Sequence, residues 1–246
     1  MSLFDPLPYY FIVSVGIFAG AVVSGLVGFA FSAVAGAILL HVLPPTEAVP
    51  LMMACSTLTQ AASLIALRGR VQWRSSPLLM AGGVLGMLPA LYLLYRIDAH
   101  LFRIGFGLFL VAYAICMLLR PASAILREAP GRLRHALVGF GGGLVGGLTA
   151  MPGALPTIWC DLHGMSKDQQ RGLVQPYIVA MQVFALALML THQRPSAEAL
   201  LNMTYSLPAL AAGVALGIVM FRRLNDAAFR SVVLVVLLFA GLLLLL

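Results

Sequence analysis

Two glycine-rich stretches decide the fold: GIFAGAVVSGLVGF at residues 16–29 and VGFGGGLVGGLTAMPG at residues 138–153. Each lies inside an apolar run, of about 8–42 and about 136–163, that is longer than the roughly 20 residues one membrane crossing needs. Inside a membrane, a helix can be interrupted only where its backbone is buried in protein or lines a cavity. We therefore predict a broken helix pair, or a re-entrant hairpin, in each run.

The rest of the chain is also apolar, with 61% hydrophobic residues, 9% charged residues and a mean hydropathy of +1.01. A soluble domain carries about 25% charged residues, so this composition excludes a water-soluble globule. Asp5 and the lack of a basic residue before the first run predict that no signal peptide is cleaved. Six further apolar runs complete an all-α polytopic membrane protein of 8–10 membrane helices: 47–67, 76–95, 101–119, 169–191, 199–221 and 227–246.

The second half repeats the first. A shift of 122 residues places Gly20 on Gly142, Gly25 on Gly147, His41 on His163 and Gln60 on Gln182 without a gap. This predicts a first transmembrane repeat at 1–119, a connector at 120–135 and a second repeat at 136–246. Each repeat would combine a broken pair or hairpin with three full transmembrane helices.

Charge predicts how the two repeats are oriented. If each glycine-rich run crosses twice or returns to the same face, one side keeps only Arg96, Arg103 and Arg194. The other side collects the remaining twelve basic residues, and basic loops face the cytoplasm. The repeats are then inverted, the 120–135 connector is cytoplasmic and both termini lie outside. Inverted repeats with interrupted helices are typical of secondary transporters.

The order of the motifs identifies a family. The glycine-rich opening is followed by PPTEAV at 44–49 and ALRGRVQWR at 66–74. The second half continues with LHGMSKDQQRG at 162–172 and ALGIVMFRRLNDAAFR at 215–230. Over essentially the whole chain this order resembles the TauE/SafE family of membrane transporters for sulfite and organosulfur anions. The resemblance implies that the substrate is sulfite or a small sulfur-containing organic anion, and that it is exported.

The candidate substrate site lies around the predicted breaks. Gln60 and Gln182 each stand mid-helix in an apolar run, and an amide there either joins helices or lines a shared cavity. Exposed half-helix N-termini would attract an anion in a site nearly free of charge, because no Lys or Arg is expected at that depth. The predicted substrate-binding set is Gly25, Gly28, Ser56, Thr57, Thr59, Gln60, Gly147, Thr149, Pro152, Gln175, Tyr177 and Gln182.

Three ionisable residues are candidate proton carriers. His41, His163 and Asp161 stand close to the ends of apolar runs, so an interfacial position competes with a role in proton transfer. The cysteines form no CxxC pair, and no metal site, cofactor or nucleic-acid partner is expected. The implied partners are a small anion, a coupling proton or cation, membrane lipid and a second copy of the chain.

These observations favour a secondary transporter in a bacterial-type inner membrane that works by alternating access, and not an enzyme. A channel-like permease for a small neutral solute is one alternative. A membrane enzyme that uses Cys160, Asp161 and His163 is another, although their spacing matches no known triad. A non-transporting assembly subunit is a third, and the paired helix breaks argue against it.

Overall fold

The structure is a computed structural model that describes residues 6–66, 76–119, 132–192, 196–223 and 226–246. These ranges contain α-helices and no β-strand. The helices are α1 (Pro6–Val27), α2 (Phe31–Leu39), α3 (Pro45–Ala66), α4 (Ser76–Leu94), α5 (Ala99–Leu119), α6 (Arg132–Thr149), α7 (Ala154–Leu162), α8 (Lys167–His192), α9 (Ala197–Arg223) and α10 (Asp226–Leu245). The all-α prediction is confirmed.

The helix order repeats as one long helix, one short helix and three long helices. The 122-residue shift carries Val27, where α1 ends, onto Thr149, where α6 ends. It also carries Pro45, where α3 begins, onto Lys167, where α8 begins, while α2 and α7 both have nine residues. The division into two repeats stays a prediction, and most of the 120–135 connector lies outside the described residues.

The protein is a multi-pass membrane protein. Five helices of the described part are long and apolar enough to cross a bilayer: Tyr9–Val27, Pro77–Leu94, Ala99–Cys116, Asp168–Thr191 and Ala197–Arg223. Many large apolar side chains point outward, and Phe11, Leu133 and Phe239 each expose about 70% of their surface. A continuous apolar exterior of this kind is stable against lipid tails and not against water.

Glycines bring helices of different halves into close contact. A methyl group on Gly25 of α1 would lie 2.9 Å from the carbonyl oxygen of Val214 in α9, and one on Gly213 would lie 2.7 Å from that of Phe18. Gly82 and Gly86 of α4 approach the backbone carbonyl oxygens of Ala136 and Phe140 in α6 even more closely. Small residues allow this approach between membrane helices. Each half therefore packs its first helix against the fourth helix of the other half.

The helix directions follow from these contacts. Along α1 and α9 the contacts advance together, from Phe18 with Gly213 to Gly25 with Gly217, so the two helices are parallel. The same is true of α4 and α6. Gly107 and Gly241 meet where α5 and α10 cross, and residue numbers rise on α5 as they fall on α10. These two helices, which occupy equivalent positions in the repeats, are antiparallel.

Candidate functional site

The first helix break lies at Gly28, between α1 and α2. Gly28 has a φ of +92°, a backbone conformation that glycine adopts without strain. Its N–H donates to the carbonyl oxygen of Ser24 at 2.7 Å, which closes the last turn of α1. Its own carbonyl oxygen would be left without a helical partner. The Nε2 of Gln60 in α3 donates to that oxygen at 2.6 Å.

The second break lies at Ala150, between α6 and α7, and the 122-residue shift places it on Gly28. Ala150 has a φ of +56°, and its N–H donates to the carbonyl oxygen of Gly146 at 2.8 Å. Its carbonyl oxygen accepts from Nε2 of Gln182 at 3.2 Å, as the Gly28 oxygen accepts from Gln60. The two glutamines therefore perform the same task at equivalent breaks.

The two breaks contact each other in the interior. Ser32, in the first turn of α2, donates from Oγ to the carbonyl oxygen of Ala150 at 2.7 Å. A methyl group on Gly153, beside the second break, would lie 3.0 Å from Cβ of Phe29, beside the first. Gln182 also donates to Oγ of Ser56 at 2.9 Å. This network joins both breaks to α3 and α8.

The break positions correct one expectation. The break residues predicted from the sequence are Gly25 and Gly28 in the first run and Gly147 and Pro152 in the second. Gly28 does lie at a break, whereas Gly25 and Gly147 lie inside continuous helices. Gly25 packs against α9, and a methyl group on Gly147 would lie 2.6 Å from Cβ of Ala90 in α4. Each break lies three residues after that glycine, at Gly28 and at Ala150. Pro152 does lie at a break and is buried there.

A second correction concerns charge. The expectation of a nearly charge-free site is wrong, because Arg171 in α8 is only 5% exposed and lies beside the first break. Its Nη2 donates to the carbonyl oxygens of Gly25 and Leu26 at 2.8 and 2.6 Å. Its Cζ stands 3.6 Å from the centre of the Phe221 ring, in a cation–π arrangement. The charge distribution of the sequence counts this arginine among the twelve basic residues of the cytoplasmic side.

The predicted hydroxyl groups mostly bond to their own helices. Thr57, Thr59 and Thr149 each donate to the carbonyl oxygen four residues earlier, at 2.7–2.9 Å. The hydroxyl of Tyr177 donates to the carbonyl oxygen of Gly139 at 2.8 Å, so it joins α8 to α6. Gln175 differs from all of them. It is 1% exposed, and neither atom of its amide has a hydrogen-bond partner in the described part of the chain.

The three candidate proton carriers lie at the ends of the short helices. His41 follows α2 and is exposed. Asp161 is in the last turn of α7, and His163 follows it with Nδ1 2.8 Å from the carbonyl oxygen of Trp159. The ring of Trp159 is flanked by His163 and His135, at centroid distances of 4.4 and 4.8 Å. The three candidates do not meet at the breaks.

A cavity of about 400 Å³ approaches the network from one end of the helices. It is lined by Glu47, Pro50 and Ala54 near the start of α3, by Leu186 and Leu190 near the end of α8, and by the first turns of α9. Leu186 is one helical turn from Gln182, and Ala54 is one turn from Thr57. The cavity therefore ends close to the second break. Because the low numbers of α3 share it with the high numbers of α8, these helices are also antiparallel.

Sequence reasoning missed three residues of the site. Ala150 had a usable signal, since the shift that pairs Gln60 with Gln182 also pairs Gly28 with Ala150, whereas Ser32 had none of this kind because the shift pairs it with Ala154. Arg171 had none either, because it stands in the polar stretch KDQQRG at the start of its apolar run, where a basic residue is typical of the membrane surface. Its burial results from contacts with α1 and α9, which are distant in sequence.

A polytopic helical membrane protein with two breaks that meet inside has the architecture of a secondary transporter. A protein-family model described as "Sulfite exporter TauE/SafE" matches residues 12–244. This match covers nearly the whole chain, so the protein belongs to the TauE/SafE family of sulfite exporters, which are membrane transporters of small anions. Searches of curated proteins and of solved structures give no significant match.

Proposed function

We propose that this protein is a secondary transporter that exports sulfite or a small sulfur-containing organic anion by alternating access. The observation that carries the proposal is the contact between the two breaks at Ser32 and Ala150. Broken helices that meet inside a membrane protein are where secondary transporters bind substrate, because free backbone groups and half-helix dipoles are available there. The family supplies the chemical class of the anion.

Inverted repeats are part of the proposal, and the helix directions support them. Inversion requires equivalent helices to run antiparallel, as α3 and α8 do and as α5 and α10 do. Because α1 packs on α9 and α6 packs on α4, the bodies that rock during transport would each combine helices from both halves. With both termini outside, the cavity beside Glu47 would open away from the cytoplasm. Labelling of a cysteine at Leu246 with a membrane-impermeant reagent tests this orientation.

The buried guanidinium of Arg171 favours an anion over a neutral solute. A buried charge needs compensation, which here comes from helix-end carbonyl groups, an aromatic ring and the electrostatic attraction of Asp168, while the Nε of Arg171 keeps no hydrogen-bond partner in the described residues. A neutral solute would leave that charge as it is. We also infer that the protein is not an enzyme, because its family consists of transporters. The inner membrane is the proposed location, and His41, His163 and Asp161 are the proposed carriers if a proton drives transport.

Sulfite efflux from proteoliposomes tests this function. Vesicles that contain the purified protein and internal sulfite should release it faster than protein-free vesicles, and external taurine or methanesulfonate should compete if organic sulfonates share the site. The contribution of each residue predicted to bind substrate can be measured in the same assay. Release of an uncharged solute such as glycerol at the same rate, without release of sulfite, would support the permease instead.

A further inference from the structure

The positive charge of Arg171 lies beside the first break, where the surrounding protein groups do not use all of its hydrogen-bond donors. Arg171 brings a positive charge into the interior at 5% exposure, and its Nη2 bonds to the two carbonyl oxygens at the end of α1. These carbonyl oxygens carry the negative end of the helix dipole, which amounts to about half an elementary charge. Asp168, three residues earlier on α8, also attracts the guanidinium electrostatically, but neither Asp168 nor the carbonyl groups occupy the Nε of Arg171.

Donors are also left over at this place. The Nε of Arg171 and both polar atoms of the Gln175 amide are buried without a hydrogen-bond partner in the described residues. Buried polar groups in native proteins are nearly always bonded, so a cluster of unbonded ones requires an explanation. Gln175 follows Arg171 by four residues, so both side chains leave the same face of α8.

Both unbonded donors point toward Gly28. A methyl group on Gly28 would lie 3.1 Å from Nε of Arg171 and 3.3 Å from Nε2 of Gln175. These distances show that the two donors flank one point, at which the chain carries no side chain. A guanidinium and an amide that converge in this way suit an oxyanion, because a guanidinium pairs with two oxygens of one anion.

We propose that Arg171 and Gln175 form the anion-binding site of this transporter, beside Gly28. This inference rests on the proposed function and adds the residues that hold the anion. In the conformation described here, the Nη2 donors of the guanidinium are already bonded to the carbonyl oxygens of Gly25 and Leu26. A sulfur oxyanion would take over those contacts and bond to the free donors of Arg171 and Gln175. Binding would thereby release the end of α1 from α8, which couples the anion to the position of α1.

Sulfite binding to purified variants tests the site. Gln175→Leu should weaken the Kd for sulfite about tenfold and Arg171→Lys about ten- to a hundredfold, since a decade corresponds to one hydrogen bond to a charged group. Arg222→Gln is the matched control for charge, because Arg222 is exposed at the end of α9. Its Kd should equal that of the wild type.

Thermal unfolding without anion separates binding from structure. Gln175→Leu should keep or raise the melting temperature, because the amide has no hydrogen bond to lose. Gln170→Leu should show the opposite pattern, with a lower melting temperature and an unchanged Kd, because its Nε2 donates to the carbonyl oxygen of Thr157 at 3.1 Å. If Arg171→Lys folds poorly, the comparison of Gln175→Leu with Gln170→Leu still decides whether the site binds the anion.

The outcomes for the site and for the function differ. If sulfite binds to the wild type and equally well to Gln175→Leu and Arg171→Lys, the site is wrong while the function stands. If sulfate or chloride binds through both residues and sulfite does not, the site stands and the proposed substrate is wrong. If the wild type binds none of these anions, both proposals fall.

Discussion

The two helix breaks share one design and differ in how completely their polar groups are bonded. At the second break, the carbonyl oxygen of Ala150 accepts from Ser32 and Gln182, and Gln182 is bonded further to Ser56. At the first break, the carbonyl oxygen of Gly28 accepts from Gln60 alone, and the Oε1 of Gln60 has no partner among the described residues. The same repeat position therefore holds a closed network in one half and an open one in the other.

This difference indicates a division of tasks. A fully bonded buried network rigidifies the structure around it, whereas an incompletely bonded one is unfavourable unless a ligand completes it. The second break would fix the arrangement of α3, α6 and α8. The first break, with the partly bonded Arg171 and the unbonded Gln175, would bind the anion. The two breaks have the same backbone arrangement, and only one of them needs to bind.

The largest effect is expected at Gln182. Gln182→Leu removes three hydrogen bonds inside the closed network, including the one that its Oε1 accepts from Thr57 at 3.4 Å, and it leaves Ser56 without its donor. Its cost should be about 3 kcal/mol of unfolding free energy, against about 1–2 kcal/mol for Gln60→Leu, which loses one bond and also removes an unbonded oxygen. Chemical unfolding of both purified variants measures the difference.

The sulfite affinity of the same variants completes this test. Gln182→Leu should bind sulfite as the wild type does, because its amide is engaged by protein groups. A stable Gln182→Leu protein with a weakened affinity would contradict the division of tasks. It would restore the expectation from sequence that both glutamines donate to the anion.

Gly28→Ala should have the next largest effect. The added methyl group meets Nε of Arg171 and Nε2 of Gln175, and an alanine at a φ of +92° is strained. We expect a loss of about 1–2 kcal/mol in unfolding free energy, together with a loss of sulfite binding larger than that of stability. Gly105→Ala is the control, because Gly105 lies in α5 with nothing within 4 Å of the added group. If both variants bind sulfite normally, the space beside Gly28 is not used.

The sequence predicts the fold better than it predicts the site. The apolar runs match the long helices to within a few residues, because hydrophobic length and turn residues act locally. The glutamines were found because they recur at the repeat spacing and stand out against apolar neighbours. Arg171 was missed, since its burial depends on Phe221 and on the end of α1. Periodicity carries no information about such long-range contacts.

The positions of the breaks show the same limit. Glycine composition indicates where a helix can break or pack closely, but it does not distinguish the two. Gly25 and Gly147 pack against neighbouring helices, and an alanine at position 150 takes the left-handed conformation. That choice is enforced by Ser32 and Gln182, which hold the Ala150 carbonyl group from outside its own helix.

The smallest effect is expected for Ala150→Gly, and it tests whether that conformation is strained. Because glycine adopts a positive φ without strain, the substitution should raise the unfolding free energy by about 1–2 kcal/mol. Two effects lower the unfolding free energy. Glycine makes the unfolded chain more flexible, which lowers it by about 0.5–1 kcal/mol, and the loss of a buried methyl group lowers it by about 0.8 kcal/mol. The terms nearly cancel, so the unfolding free energy should change by less than about 1 kcal/mol.

Ala185→Gly is the control. It lies at a fully buried position inside α8, gains no such relief and should be about 1–2 kcal/mol less stable than Ala150→Gly. Equal losses in the two variants would mean that Ala150 is not strained. The network around Ala150 would then not be needed to enforce the second break, and the contrast with Gly28 would reduce to the presence of Arg171 and Gln175 alone.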